Sequence, residues 1–203
     1  MQLFYSLFFL FFISVSQAQI VTIPDSNFHY ALRQSTAADF DGDGVYDGDV
    51  DTNNDGLIQE VEAEAVLGLN IRDKDIISLE GINKFTNLEV LNCRANELTS
   101  LDLSNNIQLK YLEAAVNNLN TINLSSNVNL EIIDILYNQL NMVDVSSCIS
   151  LKEIYCAGNT IQSWNLDNNI NLEILYSQDC ELTHLELNNL PKLIYALAFN
   201  NQI

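Results

Sequence analysis

Basic residues are scarce in this chain: 8 Lys and Arg stand against 27 Asp and Glu, for a formal net charge of −19. A surface this acidic repels nucleic acid and anionic lipid, and favours divalent cations or basic partners. Histidine is scarcer still. His29 and His184 lie in unrelated contexts, which leaves no base to pair with a cysteine nucleophile. Zinc-ligand spacing, a phosphate-cradling glycine loop and a nucleophile elbow are all missing, so catalysis is not expected of this chain. Long apolar runs are missing too, with one exception. Leu7 to Val15 is almost wholly apolar and Phe-rich, and Ser16-Gln17-Ala18 places small residues at the last and third-last positions before a cut at Gln19. That is a secretory signal pattern over residues 1–18, though the terminal amine is its sole positive charge. The run is short for a membrane span, and no other segment approaches the roughly 20 residues needed. The mature chain of about 185 residues is therefore expected to be soluble, exported to the medium or cell surface, and without a membrane span.

What is abundant is leucine at a fixed interval. Leu88, Leu109, Leu130, Leu151, Leu172 and Leu193 recur every 21 residues, and a fixed period of this size marks a repeat architecture. One unit, Leu88-Glu89-Val90-Leu91-Asn92-Cys93-Arg94-Ala95-Asn96-Glu97-Leu98, has the spacing L-x-x-L-x-C-x-x-N-x-L. The columns hold down the array. Leu91, Leu112, Ile133, Ile154, Leu175 and Ala196 form one, and Asn96, Asn117, Asn138, Asn159, Cys180 and Asn201 form the turn column. This pattern resembles the leucine-rich repeat family. The resemblance implies an α/β repeat solenoid, a right-handed coil of parallel strands over residues 67–203. A single 21-residue unit cannot bury its apolar face, so neighbouring coils must share one core. The turn-column Asn is expected to hydrogen-bond buried backbone of adjacent coils, because orphaned amides are costly. Trp164 falls in an inward column and is expected in the core. The repeat begins irregularly: Leu69 precedes Leu91 by 22 residues, and Lys74 stands where the turn Asn belongs. The chain stops at Ile203 in mid-repeat, so a truncated reading frame or fragment is expected. The combination resembles large exported Bacteroidota-type surface proteins, which implies a secretion domain beyond this end.

Four cysteines in an exported protein raise the question of disulfides. Cys93 and Cys156 share a column three coils apart, roughly 14 Å at the inter-strand spacing and beyond the ~7 Å Cα limit. Cys156 and Cys180 lie on adjacent coils but three positions out of phase, and Cys148 lies across its coil from the strand. Buried small hydrophobes are expected in three of the four cases.

Residues 19–66 differ in composition and are expected to form an N-terminal cap over the open end of the solenoid. Ile23-Pro24-Asp25-Ser26-Asn27 reads as a helix start with Asp or Ser as cap, followed by Phe28, Ala31 and Leu32 on one face of a helix over residues 24–34. An acidic stretch follows, with nine acids between Asp39 and Glu62 and no Lys or Arg between Arg33 and Arg72. Its second half is similar to the EF-hand calcium loop, D-x-[DN]-x-[DN]-G-x5-E. That resemblance assigns Asp51, Asn53 and Asp55 to loop positions 1, 3 and 5, Gly56 to the sharp turn, the Leu57 carbonyl, Gln59 and the bidentate Glu62 to the remaining ligand positions, and Ile58 to the apolar anchor. Glu62 would stand on a helix over residues 59–66. The first half, with Asp39, Asp41, Asp43, Gly44 and Asp47, starts in the same style but has Val50 at position 12. It resembles the tandem aspartate loops of thrombospondin type 3 and dockerin-like modules, where neighbouring loops lend acids to each other; Asp49 or Asp51 would complete it. Ca2+ is the expected cofactor, one ion in the second loop and a second ion in the first.

Along each strand, residues between the apolar columns face away from the core, on the concave side. The face carries Tyr111, Glu113, Asp134, Tyr155, Tyr176, Tyr195 and Phe199 among its positions. Exposed aromatics with scattered acids favour a binding surface over a merely solvated sheet. The expected function is an exported, calcium-stabilised binding or adhesion module that takes an extracellular protein or polysaccharide. The alternative is the targeting region of a larger secreted enzyme whose catalytic part is absent from this chain.

Overall fold

The computed structural model describes residues 19–203, so the expected signal peptide over residues 1–18 lies outside the described residues. Among them, no helix is long and apolar enough to cross a membrane. From the first coil onward the chain winds as a solenoid. Each coil places one short strand beside the last: β2 (Gly68–Asn70), β3 (Val90–Asn92), β5 (Tyr111–Glu113), β7 (Ile132–Asp134), β8 (Glu153–Tyr155), β9 (Ile174–Tyr176) and β10 (Tyr195–Leu197). All seven pair in parallel and in register, so that Leu69, Leu91, Leu112, Ile133, Ile154, Leu175 and Ala196 stack as one column. The expected packing column is therefore observed, and the 22-residue first step is absorbed within the first coil.

The period explains the core. Strand side chains alternate faces, so the middle residue of each strand enters the core while its two neighbours face out. The leucines at 88, 109, 130, 151 and 172 are fully buried beside this column. At their far side, β4 (Ser100–Asp102) and β6 (Thr121–Asn123) form a second, two-stranded parallel sheet that the repeat pattern shows only as an apolar pair. A further periodic feature was invisible in composition. Ala95, Val116, Tyr137, Gly158, Asp179 and Asn200 all adopt left-handed backbone, one per coil, where the chain turns out of the strand. Glycine, the residue that tolerates this best, occupies one position of the six. At Gly158 it also makes room for a neighbour, since a Cβ there would lie 2.6 Å from the Tyr137 ring.

The cap is shorter in helix than expected. Helix α1 spans Ser26–Leu32, not residues 24–34, and α2 spans Glu60–Ala65. Phe28, Ala31 and Leu32 are buried as the spacing predicts. Asp25, rather than Ser26, is the cap, and it has two jobs. Its Oδ1 accepts from the Asn27 and Phe28 N–H groups, and its Oδ2 accepts from Ile77 and Ser78 N–H at 2.8 and 2.9 Å, tying the helix start to the first coil. A strand that the sequence did not suggest, β1 (Ala38–Asp39), pairs antiparallel with β2. The start of the acidic stretch thus closes the first edge of the sheet, which would otherwise offer unpaired backbone.

Candidate functional site

The acidic stretch folds as two loops of the same design, 12 residues apart. In the first, Asp39 Oδ1 accepts from Asp41 and Gly42 N–H, and its Oδ2 accepts from Gly44 N–H at 3.0 Å. In the second, Asp51 Oδ1 accepts from Asp55 N–H, and its Oδ2 accepts from Gly56 N–H at 2.9 Å. Gly44 and Gly56 share a φ of +84°, which L side chains rarely adopt. Asp43 and Asp55 each accept from the N–H two residues on. Burial would raise the Asp39 carboxyl, but the N–H donors of Gly42, Gly44 and Asp41 outweigh it and hold it below the usual carboxylate range.

The loops differ at their ends. In the second, Glu62 is buried at the start of α2, where Oε2 accepts from Gln59 N–H at 3.0 Å and Oε1 accepts from the Thr52 hydroxyl at 2.8 Å. Gln59 caps that helix and also bridges the loop: its amide nitrogen donates to Asp55, and its amide oxygen accepts from Asn53. Ile58 is buried as the anchor position requires. Asp51, Asn53, Asp55, Gln59 and Glu62 are thus linked in one hydrogen-bonded loop, but among the described residues the carboxylates of Asp51, Asp55 and Glu62 do not come within 4.8 Å of one another as those of the first loop do. In the first loop, Asp39, Asp41 and Asp43 present carboxylate oxygens within 4.8 Å of one another. Asp47 stands outside that group, and Val50 is a fully buried core residue. Its burial explains why no acid stands there.

The expected concave residues share one sheet face but fall into two parts. Tyr155 and Tyr176 are neighbours on β8 and β9, with ring centroids 5.0 Å apart and edge-to-face. Tyr195 on β10 meets Tyr176 at 5.6 Å, also edge-to-face. The three rings make a continuous aromatic row, with Tyr195 and Phe199 the most exposed. Tyr111 is not part of it, because β7 intervenes. Tyr111 sits instead in an acidic half with Glu113, Asp134 and Glu153. Its hydroxyl is pushed up first by burial, then by the charges of Glu113 and Asp134. Glu113 accepts from the Asn92 side-chain amide at 3.0 Å and lies 3.8 Å from the Arg94 guanidinium. Asp134 accepts from Leu136 N–H at 3.1 Å; burial pushes its carboxyl up, opposed by that bond and by Arg94. Glu153 accepts from the Tyr155 hydroxyl. Along the rim, Glu89, Lys110, Glu131, Lys152 and Glu173 alternate in sign at 21-residue steps, with Lys110–Glu89 at 2.7 Å and Lys152–Glu131 at 2.6 Å. The basic residues of the rim are therefore already paired. His184 lies on the surface beside Glu186, as its column position suggested.

The Asn column is structural. Each of Asn96, Asn117, Asn138, Asn159 and Asn201 donates to carbonyls of its own and the preceding coil. The repeat also holds a second Asn ladder. Asn106, Asn127 and Asn169 are fully buried and donate to carbonyls of the coil before. Their 21-residue spacing was the available signal, with Cys148 filling the missing rung. All four cysteines are free and buried. Burial pushes the Cys93 thiol up to about 12 and the Cys148 thiol up to about 11, and it holds Cys156 protonated as well. Cys180 takes the Asn position in its coil, with Sγ 3.2 Å from the Cys156 carbonyl oxygen. Three positions out of phase is thus the offset that a ladder side chain spans.

No protein-family model matches the chain, and no curated protein matches it. Solved structures do. An internalin (inlF) of Listeria monocytogenes superposes with a TM-score of 0.64 at 20% identity, over 94% of this chain and 61% of that one. An LRR protein of Leptospira interrogans gives 0.55 at 23% identity, over 68% and 44%. TLR13, in its ssRNA13 complex, gives 0.55 at 19% identity, over 71% and 24%. The chain spans less than two thirds of the length of each of these structures. At such identities the likeness speaks to fold. With the in-register columns and the Asn ladders, it shows that the chain is a leucine-rich repeat solenoid, a right-handed coil of parallel strands closed at its first edge by a small helical and acidic cap.

Proposed function

We propose that this chain is an exported, calcium-stabilised binding module that recognises an extracellular protein or polysaccharide on its concave face. The observation that carries the reading is the aromatic row Tyr155–Tyr176–Tyr195, in edge-to-face contact across three adjacent strands, with Tyr195 reached diagonally, and open to solvent at its end. Edge-to-face rings held on a rigid sheet give large contact area with little side-chain entropy left to lose. Cys93, Cys148 and Cys156 do not compete with this reading, because burial holds their thiols protonated and poorly nucleophilic, while Cys180, lowered by its hydrogen bond with Cys156, is itself buried in the ladder.

Calcium would serve structure. One ion would be held by Asp51, Asn53, Asp55, the Leu57 carbonyl, Gln59 and Glu62, and a second by Asp39, Asp41 and Asp43, with Asp47 outside their group. Bound there, calcium supplies the positive charge that relieves the mutual repulsion of these acids. The chain's own residues then fix the cap: Asp39 anchors β1 against β2, and Glu62 starts α2.

The test uses arrays of purified glycans and extracellular proteins as probes. Any ligand found is measured again against Tyr155→Ala plus Tyr176→Ala, whose folding is checked by circular dichroism. A loss of about 1–3 kcal/mol is expected for aromatic hot spots. Unchanged affinity for every ligand found refutes the concave-face reading.

A further inference from the structure

The concave face is not uniform, and its polarity selects a partner. Three carboxylates, Glu113, Asp134 and Glu153, lie on the consecutive strands β5, β7 and β8, with Tyr111 and Tyr155 beside them. Arg94 is the cation paired to this half of the face, and its contact with Glu113 is a long 3.8 Å. Three negative charges against one positive leave a local excess of two. The rim lysines reduce it little, since Lys110 and Lys152 pair with Glu89 and Glu131, and Lys152 adds only a weaker attraction to Glu153. Asp134 is half-buried, and its one hydrogen bond is to its own turn. Arg94 acts on Asp134 without forming an ion pair with it, and a desolvated carboxylate compensated so weakly carries a standing cost that an incoming cation relieves. Phenol rings next to the acids add cation–π attraction. Beyond β8 the character changes to the apolar aromatic row of Tyr155, Tyr176 and Tyr195.

We propose that the concave face binds an extended peptide segment that carries Lys or Arg at one end, seated on Glu113, Asp134 and Glu153, and apolar side chains at the other, seated on the tyrosine row. This rests on the concave-face reading and adds the chemistry of the partner. The lengths agree. From β5 to β10 is four strand steps, roughly 19 Å at ~4.8 Å each. An extended chain at ~3.3 Å per residue covers that span in about six residues, of which the first three lie over the acids. The charge of the chain as a whole, −19, draws such a segment in.

The sequence itself supplies variants that keep the fold. Asn92 stands in the Asp134 column and makes the same turn bond, to Arg94 N–H at 3.1 Å, so Asp134→Asn keeps the backbone partner. Asp102 and Asp144 alternate with Asn123 and Asn165 in a column off the concave face, so Asp102→Asn plus Asp144→Asn removes the same charge elsewhere. The probes are acetylated, amidated hexapeptides: three lysines then three leucines, three arginines then three leucines, and three glutamates then three leucines. Binding is measured by calorimetry in 150 mM salt on the chain from residue 19 onward. The cationic peptides are expected to bind at least tenfold more tightly than the glutamate peptide. Asp134→Asn plus Glu153→Gln is expected to weaken them at least tenfold, and the control pair less than twofold. A lysine–arginine difference tells which cation the site prefers. Equal losses in both pairs, tight binding of the glutamate peptide, or no binding of the cationic peptides at millimolar concentration each overturn the proposal. If Tyr155→Ala plus Tyr176→Ala weakens a peptide that the acid pair leaves unchanged, the cationic partner is refuted while the concave-face reading stands. If neither pair has an effect, both fall.

Discussion

Asn138→Ala tests what holds the coils in register. Asn138 Oδ1 accepts from Leu119 N–H of the preceding coil at 3.0 Å, and Nδ2 donates to the carbonyls of Ala114 and Ile135, each at 3.1 Å. A fourth contact, from Nδ2 to the Leu136 carbonyl at 3.2 Å, matters less because that carbonyl keeps Val116 N–H; the other three groups do not suffer equally when the side chain is removed. Ala114 C=O still receives Asn117 Nδ2 at 3.1 Å, and Ile135 C=O still receives Asn159 Nδ2 at 2.9 Å. Each carbonyl is shared between two rungs and loses one of two bonds. Leu119 N–H is a different case, because the Asn138 oxygen is its partner and the site is buried. An orphaned buried donor costs ~1–3 kcal/mol, and each lost carbonyl bond ~0.5–1.5 kcal/mol, for a total of about 2–6 kcal/mol. Urea unfolding followed by far-ultraviolet circular dichroism and by the buried Trp164 measures it. The neighbour Asn118 is exposed and accepts a 3.4 Å bond from Gln139, so Asn118→Ala is expected within ~0.5 kcal/mol of the parent. Asn201→Ala is expected to cost less than Asn138→Ala, because its partners are partly open to water. A loss below about 1 kcal/mol for Asn138→Ala, or one matching Asn118→Ala, refutes the ladder as the source of register.

Thermal unfolding in EGTA and in ~10 mM calcium is expected to differ by about 1.4–2.7 kcal/mol of stability, given the ~10⁻⁴–10⁻³ M affinity of extracellular calcium modules. No shift in the parent, or an equal shift in Asp51→Ala plus Glu62→Ala, removes the calcium site. Asp25 links helix and first coil; burial raises its carboxyl, but four backbone N–H bonds outweigh that and leave it lowered. Its contribution is therefore present above the ordinary Asp value of ~3.9 and is lost as pH falls through the lowered folded value. Asp25→Asn should flatten the melting-temperature profile at acid pH, and parallel profiles for parent and variant refute this. Cys180→Asn restores a ladder rung next to the Cys156 carbonyl and supplies an acceptor toward Ile161 N–H, as Asn159 does for Leu140. A gain of about 1–2 kcal/mol is expected from these bonds, read as a higher urea midpoint. Destabilisation shows that the coil has relaxed around sulfur.

Much of this fold was legible because repetition multiplies a weak signal. One L-x-x-L unit says little, but six in the same register name the core column, the turn Asn and the outward face. The acidic loops were legible for another reason. A tight turn that collects side-chain oxygens needs acids and glycine at set intervals, and both Asp39–Gly44 and Asp51–Gly56 close as that spacing implies. The left-handed column was not legible, because Ala95, Val116 and Tyr137 advertise no such turn and Asp179 and Asn200 only tolerate one; the stacked coils impose it. The second Asn ladder could have been read from Asn106, Asn127 and Asn169, but Cys148 interrupted its spacing.

Local pattern by itself determined the coil, its period, which side of each strand is buried and how the acidic turns close, since these depend on neighbours within a few residues or on exact repetition. The tertiary structure alone decided how distant pieces meet. It set Asp25 on the backbone of Ile77 and Ser78, and laid β1 along the open edge of β2. It also divided the concave face into an acidic half and an aromatic row, with Tyr176 bridging Tyr155 and Tyr195 while Tyr111 stands apart. The contacts of Asp25 and of β1 join residues with no shared period, whereas Tyr155 and Tyr176 stand one repeat apart and Tyr195 meets Tyr176 from the neighbouring column. They follow from the stacking of coils and the docking of the cap, whose geometry emerges when the whole core is packed at once.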